Sequence, residues 1–284
     1  MFVLLKKIQE VKMTITAADI NKLRQATGAG MMDCRKALTE SNGEFEAAID
    51  WLRKQGQKVA AKRSDREAKE GVIIAKTTPG NKAGIVLCIS CETDFVSKNA
   101  EFVAFAQSIA DAAIVNDVKS TEELNAVEIN GVKVADLIND KLASIGEKIE
   151  VSKFERVEAE YVASYIHGAH RMGVLVGFTK DAPEAGKDVA MQIAAMNPLA
   201  VDESSISPET IEREKNIAIE MIKAEGKPAE MAEKIAIGKL NKFFKDNTLM
   251  AQAFVKDGNV SVADYLKSID ADLKVTEFKR VALG

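Results

Sequence analysis

Two stretches, "GIVLCISC" at 84–91 and "GVLVGFTK" at 173–180, decide how this chain is read. Each is a glycine-led apolar run of strand length, followed by a short polar loop and a helix pattern: "AEFVAFAQSIADAA" at 100–113 and "KDVAMQIAAMNP" at 187–198. Phe102, Ala106 and Ile109 in the first helix, and Val189, Ile193 and Met196 in the second, recur at the spacing that gathers side chains on one stripe. A strand-loop-helix unit thus occurs twice, which predicts an α+β core of two related halves. A further strand candidate precedes each unit: "EGVIIAKT" at 70–77, with a "PGNK" turn, and "KIEVSKFERVE" at 148–158. Pro-Gly between neighbouring strands favours a hairpin, so antiparallel sheet is expected at least in part.

Upstream, residues 15–56 read as three short helices. Thr16 with Asp19 makes a capping-box start, Gly28 and Gly30 interrupt, and Cys34, Ala37 and Leu38 face inward. After Asn42 and Gly43, the residues Phe45, Ala48, Ile49 and Leu52 form a third stripe. The run "QKVAAKRSDREAKE" at 57–70 is mostly charged, with few apolar anchors, and suits a solvated helical linker. Downstream, residues 207–246 read as an antiparallel helical hairpin with Pro208 and Pro228 near the helix starts. Its apolar stripes, Ile211, Ala218 and Ile222, then Met231, Ile235 and Phe243, are broken by charge, as in a protruding arm. Ser261 then caps a short helix, and "LKVTEFKRVAL" at 273–283 supplies a final strand. The expected organisation is a three-helix module at 14–55, a charged linker at 56–70, a core amino-terminal half at 71–150, and a carboxyl-terminal half at 151–284 carrying the hairpin at 208–246. Residues 1–12 are read as an upstream start or loose tail, and no function is attached to them.

Composition excludes several classes. With 284 residues, 46% of them hydrophobic and 29% charged, the chain can bury a core without staples. Its net charge of −4 lacks the basic footprint that displaces counterions from nucleic acid, so no direct nucleic-acid partner is expected. Three cysteines, Cys34, Cys88 and Cys91, make no disulfide framework. The apolar burst Phe2 to Leu5 is too short for a secretory core, and no run reaches membrane-spanning length. A cytoplasmic protein is expected.

Cys88 and Cys91 with His167 and His170 raise a zinc or thiol reading. Residues i and i+3 of an extended strand face opposite sides, and a redox Cys-x-x-Cys opens a helix rather than ending a strand, so buried core thiols are the simpler expectation. "TGAGMMDC" at 27–34 lacks the Lys-Ser/Thr ending of a phosphate loop. Met32 falls off the apolar face there and Met31 at its edge, which suits either an adaptable contact surface or, for Met31, the core. No nucleophile, base and orienter assemble by spacing, so covalent catalysis is disfavoured and no cofactor is expected.

The loop "ETDFVSKN" at 92–99 occupies the place taken by "DAPEAG" at 181–186 in the second unit. The second manages without an aromatic, so architecture alone does not require Phe95. Either Asp94 caps the next turn while Phe95 packs inward, or both face outward as a site.

Three motifs, "TGAGMMDCRKAL", "CETDFVSKN" and "SYIHGAHRMGVLV", occur in that order, with "ASIGEKI" between the last two. From Met13 onward the chain resembles bacterial translation elongation factor Ts. The resemblance implies a ubiquitin-associated-type amino-terminal module, a two-part core and a helical hairpin. It implies guanine-nucleotide exchange on elongation factor Tu, by binding its GDP and nucleotide-free forms and weakening Mg²⁺ and nucleotide, with no bond made or broken. Asp94 and Phe95, flanked by Thr93 and Val96, would be the intruding pair; Ile145, Gly146 and His167 would share their surface; Met31, Met32 and Arg35 would form a second anchor. Arg35 stands where the family commonly has lysine. The hairpin would contact another domain of the GTPase or a second copy of this chain.

Overall fold

The computed structural model describes residues 15–63, 65–224 and 229–284, leaving aside the side chains at 60–62 and 229–232. Residues 1–12, Pro228 and the Met231 side chain, each read above, lie outside the described residues.

Helix α1 (Ala17–Thr27) opens on the expected capping box, with Thr16 Oγ1 accepting from Asp19 N at 3.2 Å and the Asp19 carboxylate accepting from Thr16 N at 3.0 Å. Helices α2 (Met31–Glu40) and α3 (Phe45–Arg63) follow, and the three enclose Leu23, Cys34, Ala37, Leu38 and Ala48. Helix α3 does not stop near Gly56. It continues to Arg63, so the first half of the expected linker extends the module's third helix. Gln57 and Lys58 are exposed there, but Gly56 and Val59 face the core, Val59 packing against its first apolar cluster.

The core starts with the antiparallel hairpin β1 (Glu70–Thr77) and β2 (Ala83–Cys91). Then come the one-turn helix α4 (Asp94–Ser97), α5 (Ala100–Val115), α6 (Thr121–Ala126), a small ladder of β3 (Glu128–Ile129) and β4 (Val132–Lys133), and α7 (Val134–Ile145). Strand β5 (Glu150–Glu158), counted above with the second half, instead pairs antiparallel with β2 and completes a first sheet in the order β1-β2-β5. Strand β6 (Tyr161–His167), which the sequence reading leaves unassigned, and β7 (Met172–Phe178) form a second hairpin. Helix α8 (Pro183–Met196), the hairpin of α9 (Pro208–Ala224) and α10 (Ala229–Asn247), a ladder of β8 (Ala253–Phe254) and β9 (Asp257–Ser261), and α11 (Val262–Ile269) lead to β10 (Val275–Ala282). β10 pairs with β7, giving a second antiparallel sheet, β10-β7-β6. The α+β class with antiparallel sheet holds. Among the described residues no helix is long and apolar enough to cross a membrane.

Strand alternation sorts the core into four layers. Outward from the first sheet, Val72, Ile74, Ile85, Leu87 and Ile89 meet Phe102, Ala106 and Ile109 of α5 and Leu142 of α7. Outward from the second, Val174, Val176 and Phe178 meet Val189 and Ile193 of α8 and Leu266 of α11. Between the sheets lie Ile73, Val86 and Cys88 from one side and Val162, Leu175 and Val281 from the other. The two leading glycines of the repeat face this seam. A β-carbon at Gly173 would come within 2.7 Å of Ile73 Cγ2, and one at Gly84 within 3.0 Å of Leu175 Cδ2. Met196, expected on the α8 stripe, is instead exposed, because it is the last helical residue and Asn197 turns away with φ 45°.

Candidate functional site

Strand β2 is buried along its length and ends at Cys91, so Glu92 and Thr93 must carry the chain out of the sheet before α4 begins. Thr93 is the extended N-cap residue, yet its hydroxyl does not cap the helix; it donates to Glu147 Oε1 at 2.7 Å. Val96 packs back against the first apolar cluster. The two residues between them point elsewhere. Phe95 is 85% exposed, and Asp94 ion-pairs with Lys98 Nζ at 2.7 Å. That ammonium holds the Asp94 carboxyl below the ordinary carboxylate range. Of the two sequence alternatives, the outward placement of Phe95 is the one observed.

Two glutamates brace the turn. Glu147 Oε2 accepts from the backbone N–H groups of Glu92 and Thr93 at 3.1 and 3.0 Å. In return Glu92 Oε1 accepts from Lys148 N at 2.6 Å and from Arg63 at 3.0 Å, while Oε2 takes Arg66 at 2.9 Å. These donors hold the Glu92 carboxyl below its usual range, the Lys148 amide contributing most. Segments 92–93 and 147–148 are therefore pinned by carboxylates that cross between them. Arg63 is the last residue of α3, so the amino-terminal module is tied into the same brace.

Ile145 and Gly146 enter through this brace. Helix α7 ends at Ile145, 36% exposed, and Gly146 takes the left-handed C-cap conformation at φ 82°, donating its N–H to Leu142 O at 2.8 Å. A residue with a side chain is strained there, and the reversal delivers Glu147 to Thr93.

His167 is exposed at the end of β6, with Tyr165 Oη 3.1 Å from its Nδ1. The following turn, Gly168 to His170, runs through three successive positive φ values. It is fastened to β1: Ile73 N donates to His170 O at 2.9 Å, His170 Nδ1 lies 3.1 Å from Ile73 O, and Arg171 pairs with Glu70 at 2.9 Å. Since Glu70 is registered against Cys91, this turn sits at the same end of the first sheet as the Phe95 loop.

Met31, Met32 and Arg35 lie on α2, in the three-helix module. Met31 is 52% and Met32 74% exposed, and Arg35 is exposed beside them. Met31 is thus not core. Cys88 faces the inter-sheet seam and Cys91 the outer cluster, and burial raises both thiols, Cys91 to about 12. His170 Nδ1 is engaged with a backbone carbonyl and His167 is exposed, so the four side chains of the zinc reading do not converge.

Sequence reasoning passed over Glu92, Glu147, Arg63 and Arg66. A signal was present: both glutamates stand inside quoted motifs, "CETDFVSKN" and "ASIGEKI", each beside residues that leave a buried element.

Of the candidate residues, Phe95, Ile145, Met31 and Met32 are exposed apolar side chains, the first two beside the segments that the glutamates cross-brace. A family model described as "Elongation factor TS" matches residues 92–284. The chain is similar to elongation factor Ts of Flavobacterium psychrophilum, 52% identical over 274 residues that cover 95% of this chain and 99% of the relative. It is likewise similar to elongation factor Ts of Christiangramia forsetii, 50% identical over 273 residues with 95% and 99% covered. That of Porphyromonas gingivalis is 42% identical over 274 residues with 96% and 99% covered. These matches make the chain a translation elongation factor by class. It belongs to the elongation factor Ts family.

Proposed function

We propose that the protein is a guanine-nucleotide exchange factor that binds elongation factor Tu carrying GDP, disturbs its Mg²⁺ and nucleotide site, and speeds GDP release. The exposure of Phe95 on a braced turn carries this reading. A large apolar side chain left in water at a fixed position is a ready wedge for a partner's helices, with Asp94 beside it for a polar contact. Thr93 and Val96 anchor the wedge; Ile145, Gly146 and His167 extend its surface; Met31, Met32 and Arg35 serve as the second anchor. Ile217, Met221 and Ile237 stand exposed on the helical hairpin and suit a contact with another GTPase domain or a second copy of this chain. The factor acts in the cytoplasm, by binding energy alone, without a cofactor or direct nucleic-acid contact.

Magnitudes favour several contacts acting together. Accelerating release about ten-thousandfold takes about 5.5 kcal/mol of preference for the release transition state. Burying one phenylalanine supplies about 1.5–3 kcal/mol, so Phe95 supplies a substantial part and not the whole. Linkage requires the factor to lose affinity on nucleotide binding by the same factor as the nucleotide does on factor binding.

The test follows fluorescent GDP leaving elongation factor Tu of the same species in excess unlabelled nucleotide. Wild type should accelerate release, and Phe95→Ala should slow it by roughly ten- to hundredfold. Equal acceleration by both would remove Phe95 from the mechanism. No acceleration by folded wild type would overturn the exchange reading.

A further inference from the structure

We propose that Glu147 is a positioning residue for exchange, holding the Asp94–Phe95 turn through hydrogen-bond geometry rather than through its charge. The inference rests on the exchange reading above and goes beyond it in naming a residue that itself need not meet the partner. Among the described residues, the three donors bound to Glu147 lie on the two residues that lead into α4: Glu92 N–H, Thr93 N–H and Thr93 Oγ1. Both carboxylate oxygens are used, and the two amides belong to residues that have left the β2 ladder, whose pairing with β5 ends at Ser90 and Glu150. Glu147 therefore replaces the sheet as their acceptor. Lys148, next in the chain, returns the bond by donating to Glu92 at 2.6 Å, so residues 92–93 and 147–148 are joined by hydrogen bonds running in both directions. Val96 still tethers α4 to the core when Glu147 is lost, but the aim of Phe95 is then free to drift. Misplacing a working group by about 1 Å can cost on the order of a hundredfold in rate.

Geometry and charge make opposite demands. Glutamine can set its carbonyl oxygen where Glu147 Oε2 accepts two amides, and turn its NH₂ toward Thr93 Oγ1, which accepts as readily as it donates. Aspartate keeps the charge but is one methylene short.

The experiment measures GDP release from elongation factor Tu with full-length Glu147→Ala, Glu147→Asp, Glu147→Gln and Thr93→Val, each alone and combined with Phe95→Ala. Thr93→Val removes a single hydrogen bond and keeps the test open if Glu147→Ala folds poorly. Glu147→Ala and Glu147→Asp should each slow exchange by roughly tenfold or more, Glu147→Gln should stay within about threefold of wild type, and Thr93→Val should fall between. In the Phe95→Ala background, Glu147→Ala should add little further loss, because a residue acting through Phe95 has nothing left to aim. An active Asp variant beside an inactive Gln variant would overturn the proposal in favour of a charge role. An undiminished loss in the Phe95→Ala background would overturn it in favour of a purely structural one. If wild type itself fails to accelerate release, the exchange reading falls separately. Amide hydrogen exchange at residues 92–96 still judges the brace: it should quicken in Glu147→Ala and not in Glu147→Gln, and equal protection in all three would sink it.

Discussion

Gly56 of α3 lies so close to Ala143 of α7 that a β-carbon at position 56 would sit 3.1 Å from the Ala143 Cβ, and 3.3 Å from the Asn139 carbonyl oxygen. This contact seats the amino-terminal module on the core, and Arg63, at the far end of the same helix, fastens it to Glu92. Replacing Gly56 by leucine gains up to about 1 kcal/mol of helix propensity but forces a side chain into that contact, at a cost of about 1–3 kcal/mol. Gly56→Leu should therefore lower stability in urea and widen the molecule in small-angle scattering. An unchanged scattering profile would mean that the two helices are not held in contact.

Phe95 and Phe102, two of the three aromatic residues of the first strand-loop-helix unit, should separate cleanly in a stability assay. Phe102 is buried in the first apolar cluster, and truncating it to alanine should cost about 3–5 kcal/mol. Phe95 is exposed, and Phe95→Ala should change stability by no more than about 0.5 kcal/mol. A large destabilisation by Phe95→Ala would make its exchange defect a folding defect.

Glu92 gives the brace a pH dependence. Its folded-state pKa lies below the ordinary 4.5, mainly through the Lys148 amide and then the two arginines. A carboxyl shifted this way stabilises fully above its unfolded value and loses that contribution as pH falls through the lowered folded value. The stability gap between wild type and Glu92→Gln should thus be constant near neutrality and shrink progressively below about pH 4.5. Urea titrations of both proteins across that range measure it; a gap that widens on acidification would contradict the assignment.

Burial raises the Cys91 thiol to about 12, helped by the charge of Glu147 nearby. Cys34 and Cys88 are also buried with raised pKa values. Since the thiolate is the reacting form, all three should resist alkylation in the native protein at pH 8 and react promptly in denaturant. Rapid modification of Cys91 in the native protein would show that the β2 end opens far more readily than its packing implies.

Period-three-and-four stripes and glycine-led runs were enough to read the repeated unit, because each helix buries one stripe while β2 and β7, buried on both faces, stand out as continuous apolar runs. They could not place β5. Its mixed residues, such as Ser152, Lys153 and Glu155, say strand, but which sheet it joins is decided by the edge that β2 leaves open. β6 was hidden for a related reason: Ser164 interrupts one of its faces and Tyr165 and His167 occupy the other, so neither a stripe nor an apolar run stands out. At the site, the odd aromatic at Phe95 was visible by comparing two loops. Its brace was not, since Glu92 and Glu147 are far apart in the chain and meet only after α7 reverses at Gly146.

The seam between the sheets sets a timetable for synthesis. β10, residues 275–282, supplies both the third strand of the second sheet and Val281 of the seam. Until those residues have emerged from the ribosome, β7 has one unpaired edge and the second half cannot close. The first sheet needs nothing beyond Glu158 and can assemble long before. Between the completion of β7 and the emergence of β10, a nascent molecule therefore has one half ready and the other presenting an open strand, the state most exposed to mispairing with a neighbour on the same message.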